Sequence, residues 1–149
     1  MRKAFSIAEL IIVAAIIGIL AALVMPTLHN HAMDAKQAAA RENLQLLRGA
    51  IELYAARHAG VAPGYEDNDP SGEPTAGRFQ NQVTVEDRCL LQIPDNPFNN
   101  LNRMRIVGNN EGFPAEATGQ DGWIYQPATK VIRVDWPGYD EHGVRYFDY

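Results

Sequence analysis

The residue with the most chemical leverage in this 149-residue sequence is Glu9, which stands four positions after Phe5 and directly before an uncharged run. Residues 10–28, nineteen in all, contain no Asp, Glu, Lys or Arg. At 1.5 Å per helical residue they reach about 28 Å, close to the ~30 Å hydrocarbon core of a bilayer. An acid near the centre of such a span costs roughly 2.5–3.5 kcal/mol, and less near the interface. An ionisable group placed there marks a function by default and calls for a named partner. The chemistry is ion pairing rather than acid catalysis, because no second titratable group lies near Glu9 in the helix.

Other reactive residue types are sparse. Cys89 is the only cysteine, so no intramolecular disulfide forms, and it reads as a small buried hydrophobe beside Leu90 and Leu91. His29 and His31 are two apart and point to different faces of a helix, which argues against a shared zinc ion. No P-loop, Gly-x-Gly-x-x-Gly or nucleophile–base motif occurs, so no enzyme activity is expected. The net charge of -5 and the scattered Lys and Arg give no basic patch for nucleic acid.

The elements that position Glu9 follow from the run itself. Arg2 and Lys3 precede it, so the positive-inside bias keeps the N-terminus cytoplasmic and exports the remainder. A cleaved secretory signal would have a shorter apolar core followed by a small-x-small site, and residues 33–35 make a poor one. A plain one-span anchor has no use for Glu9. A run this apolar on every side, in a chain of 149 residues, argues against a buried core helix.

A basic leader, Phe5, Glu9 four residues later, a long apolar helix and Pro26 together resemble the N-terminus of the type IV pilin superfamily. The resemblance implies cleavage by a prepilin peptidase between Ala4 and Phe5, then N-methylation of Phe5. Ala4 stands where such leaders usually carry Gly. It further implies that Phe5, Glu9 and Pro26 serve assembly: Glu9 of one subunit pairs with the Phe5 amine of its neighbour. Two charges that are costly alone offset one another in low dielectric, and correct docking supplies the partner.

Beyond residue 27 the chain turns amphipathic. Leu28, Ala32, Ala35, Ala39, Leu46, Leu47, Ala50, Ile51 and Tyr54 recur at helical spacing up to the stop at Gly60 and Pro63. Pro26 is placed to kink or loosen one long helix. Residues 64–77 read as a polar loop, 83–93 as a short apolar stretch, and 94–100 as a turn cluster. That cluster, with Asn96-Pro97-Phe98, resembles a segment of the major pseudopilins of type II secretion. Strands are expected at 104–107, 123–126 and 131–135, the last two as a hairpin with Trp123, Tyr125, Ile132 and Val134 covering the helix.

The expected chain is therefore α+β and pilin-like: leader 1–4, membrane helix 5–26, amphipathic helix 27–59, and a head over 60–149 with a small antiparallel sheet. By resemblance it is a pseudopilin polymerising in a type II secretion-like filament. It would be held single-pass in the inner membrane with its head in the periplasm, beside other pseudopilins, an assembly platform and its ATPase. A pilus subunit for adhesion, motility or DNA uptake is the runner-up, and a single-span periplasmic enzyme or binding module a distant third. Major pseudopilins hold their C-terminal loop with calcium, which takes about six to eight oxygens. Asp121, Asp135, Asp140 and Glu141 are the carboxylates available for one here, although their spacing matches no EF-hand loop.

Overall fold

The computed structural model describes residues 7–149, with side chains described outside 21–31. One helix, α1, runs Ile7–Arg57. It passes position 26 without a break in the element, and the Pro26 side chain falls outside those described. The chain divides into two compact units, one ending at Ala35 and the other covering Lys36–Tyr149.

In the second unit, the buried apolar α1 positions are Ala40, Leu44, Leu47, Ala50, Ile51, Tyr54 and Ala55. Their backbone is the 4-3-4-3 spacing 40-44-47-51-54, a single stripe of a 3.6-residue helix. Leu46, expected on this stripe, is 47% exposed instead, because one residue step turns the helix by about 100° from Leu47. Ala32 and Ala35 are likewise exposed, and Leu44 takes the core place. Gly60 ends the helix: its φ of 90° is open to glycine, and its N–H reaches the Ala55 carbonyl at 2.8 Å.

Helix α2, Ala76–Asn81, starts at Thr75, whose hydroxyl accepts the Arg78 N–H, and runs into a π-helical turn over Gln82–Glu86. Buried Gln82 accepts from the Gly64 N–H at 2.6 Å and donates to the Tyr65 carbonyl at 2.8 Å, so the turn pins the incoming loop.

The sheet has three strands in the order β1 (Met104–Ile106), β2 (Trp123–Gln126) and β3 (Val131–Val134). β2 and β3 form the expected antiparallel hairpin, pairing Trp123 with Val134 and Tyr125 with Ile132. β1 pairs with β2 in parallel, which corrects the all-antiparallel expectation. The physical reason is the connection: residues 107–122 exceed the roughly dozen residues that a parallel crossover needs. All four residues of the central strand are buried, so the sheet is covered on both faces. Ile124 packs on Val107 and Phe147, with Phe113 and Ala117 at the edge of that cluster. Trp123 and Tyr125 point the other way, and Trp123 donates its indole N–H to the Pro94 carbonyl at 2.8 Å.

Candidate functional site

The first unit presents an unusual surface. Every large apolar side chain described from Ile7 to Leu20 is 47–79% exposed, and these positions cover all sides of α1. Water is a poor solvent for such a helix, so it calls for lipid or other apolar helices around it. Among the described residues no helix is long and apolar enough to cross a membrane. Side chains of the uncharged run are described only as far as Leu20, about 21 Å of helix from Ile7, short of the roughly 20 residues that a span requires. Glu9 sits in the first turn of the described part of α1. Ala4 and Phe5 lie outside the described residues.

In the head, the acids that were candidates for calcium are spread over separate tasks. Buried Asp135 follows β3 and accepts from the Thr118 N–H at 2.6 Å, the Thr118 hydroxyl at 2.9 Å and the Asp121 N–H at 2.9 Å. Burial pushes its carboxyl up, but donors from Asp121, Thr118 and Gly119 outweigh that and hold it below the ordinary carboxylate range. A depressed folded value means that the loop's support is present above the unfolded carboxylate range. That support is lost as pH falls through the folded value.

Asp121 itself is paired with Arg103. Glu141 is exposed and sits 3.5 Å from His142. Asp140, whose side chain is inaccessible to solvent, is tied to Arg41 of α1 at 3.0 Å. Among the described residues no group of three or more His, Cys, Asp or Glu side chains is placed to hold a metal ion. The four acids do not fit a shared calcium site.

The turn over 94–100 is a structural hub that composition alone does not flag. Fully buried Asn96 donates to the Gly122 carbonyl at 3.0 Å and accepts the Phe98 N–H at 3.0 Å. Asn99 donates to the Gly119 carbonyl at 3.2 Å and the Asp121 carbonyl at 2.8 Å. With Asp135, these two asparagines fix the loop that leads into β2. The usable signal was an asparagine two residues before the N–H it accepts, the Asx-turn spacing.

Two other polar groupings resemble reactive sites without being arranged as one. His58 Nε2 lies 3.1 Å from both Asp87 oxygens, its ring stacks on Tyr54 at 4.1 Å, and the Tyr54 hydroxyl donates to Asn68 at 2.6 Å. These contacts join the end of α1 to the segments on both sides of α2. Nearby Cys89 is no activated nucleophile: burial pushes its thiol up, and the Arg57 guanidinium 4.0 Å away only partly opposes this. A cavity of about 210 Å³ is lined by Trp136, Tyr139, Arg145 and Phe147.

The chain matches the type II secretion system core protein G of Pseudomonas aeruginosa, with 24% identity over 121 residues, covering 81% of this chain and 85% of that protein. It matches the protein of the same name from Klebsiella pneumoniae with 25% identity over 126 residues, covering 81% and 86%. The chain is similar to major pseudopilins. No family model and no solved structure matches it. The likeness to major pseudopilins runs through most of both proteins, so it takes in the folded head and is not confined to an apolar N-terminus. A helix packed on a small mixed sheet agrees with a pilin-like α+β fold.

Proposed function

We propose that this chain is a pseudopilin, a non-catalytic subunit that polymerises into a type II secretion-like filament. The observation that carries it is the match to core protein G along four-fifths or more of both chains. The greasy surface of the first helical unit supports the same reading. It is the surface of a segment that lives first in lipid and then among copies of itself. In this scheme the monomer is held single-pass in the inner membrane with its head in the periplasm. A prepilin peptidase cuts between Ala4 and Phe5. Glu9 then meets the new Phe5 amine of an adjoining subunit, which sets the register of each addition. An assembly platform with its ATPase, and other pseudopilins, are the partners.

Intact-mass measurement of the chain purified from membranes tests this scheme. The expected mature species lacks residues 1–4 and carries one added methyl group. A full-length, unmethylated chain found inside assembled filaments would sink it.

A further inference from the structure

We infer that the C-terminal loop of this chain is closed by an internal cation, the Arg41 guanidinium, in the place where a divalent metal ion would otherwise be needed.

The case rests on how the acceptors of the loop are used. A carboxylate offers about four lone-pair sites. In Asp140 all four are engaged. Oδ1 accepts the N–H groups of His142 and Val144, each at 2.9 Å. Oδ2 accepts Arg41 Nη2 at 3.0 Å and the Tyr149 hydroxyl at 2.9 Å. Three of the loop's backbone carbonyls also accept bonds from within it: Val144 O from Asp140 N at 2.9 Å, Asp140 O from Gly143 N at 3.0 Å, and Gly138 O from Tyr146 N at 3.2 Å. Calcium needs about six to eight oxygens, and this loop has turned its own inwards.

Arg41 supplies what the ion would. It brings a permanent positive charge from α1 to an anion on the loop, and its planar head also lies 4.1 Å from the centre of the Tyr149 ring. The Tyr149 hydroxyl reaches both Asp140 and, at 3.4 Å, Gln37, one helical turn before Arg41. One guanidinium therefore binds the acid electrostatically and the aromatic ring by its face. Because it is covalently part of the helix, its local concentration does not depend on the ions outside the membrane. The inference concerns the head alone and holds whether or not the chain polymerises.

Hydrogen exchange and thermal unfolding of the full-length chain in detergent test it, in EDTA and in millimolar calcium chloride. The expected result is identical protection of the His142 and Val144 amides, and an identical midpoint, in the two buffers. R41A and R41M are expected to speed exchange at those amides roughly tenfold or more, with β2 and β3 still protected and with no recovery on adding calcium. Loosening of the loop by EDTA with tightening by calcium overturns the inference. So does wild-type protection in R41A. The chelator comparison on the unmutated protein decides the matter even where a variant does not fold.

Discussion

A Glu9→Leu variant is expected to give folded monomer in the membrane and no filament. Leucine is easier to keep in a bilayer than glutamate, by roughly 3 kcal/mol near the centre of a span, so insertion and monomer abundance should not suffer. The cost falls on the polymer. Removing one member of a buried ion pair leaves the other charge uncompensated, at about 3–5 kcal/mol. In the proposed scheme that charge is the Phe5 amine exposed by cleavage, and the loss recurs at every subunit added. At 1.4 kcal/mol per tenfold, the concentration needed to polymerise should rise by roughly 10² to 4 × 10³. Glu9→Gln, which keeps the shape and removes the charge, should fail in the same way. The measurement is the fraction of chain recovered in sheared filaments against the fraction left in membranes. Wild-type yields from either variant would show that charge at position 9 does not set the register.

The largest effect on the head is expected from Gly122→Ala. A Cβ built on Gly122 falls 2.1 Å from the Leu101 carbonyl oxygen and 2.9 Å from its carbon. Both are backbone atoms, so no side chain can swing aside. Nor is the surrounding chain free to shift. The Gly122 N–H donates to Arg103 O at 2.9 Å, while its carbonyl accepts from Asn96 at 3.0 Å and from Asp135 N at 3.1 Å. Overpacking alone costs about 1–3 kcal/mol, and breaking this buried set adds to it, so a loss of about 3 kcal/mol or more is expected. For a head of this size that lowers the midpoint by roughly 10 °C or more, which Trp123 fluorescence or near-UV circular dichroism would follow. Gly77→Ala is the control. It lies in α2 with nothing within 4 Å of the added carbon, so it should be neutral or stabilising by up to about 1 kcal/mol. A Gly122→Ala protein melting with the wild type would mean that the junction between residues 101 and 122 is looser than its hydrogen bonds imply.

The sequence carries the parts of this molecule that depend on local pattern. Helical periodicity brings out Leu47, Ala50, Ile51 and Tyr54, and alternation with β-branched residues brings out the β2–β3 hairpin and buried Trp123. The near misses are of one residue or one direction. Leu44 takes the inward place expected of Leu46, because apolar spacing alone does not say which of several nearby leucines lies on the buried stripe. β1 runs parallel where an antiparallel neighbour is expected, because strand direction is decided by a 107–122 crossover whose course is set by tertiary hydrogen bonds. The same limit governs the acids. Asp121, Asp135, Asp140 and Glu141 are close in sequence, yet the folded loop sends Asp135 to the amides of 118–121 and Asp140 to Arg41, 99 positions away. No local spacing encodes that pairing. Asn96 and Asn99 act through the same long-range bonds to the backbone. Their turn was legible, and the carbonyls at 119–122 that they hold were not.

The claim that this chain is built to polymerise is tested most directly by electron microscopy of material sheared from cells that make it together with a prepilin peptidase and an assembly platform. Thin filaments that label along their length with an antibody to the head are the expected result. If the processed chain is present in the membrane but never appears in filaments at any expression level, it is a membrane-tethered head and not a pseudopilin.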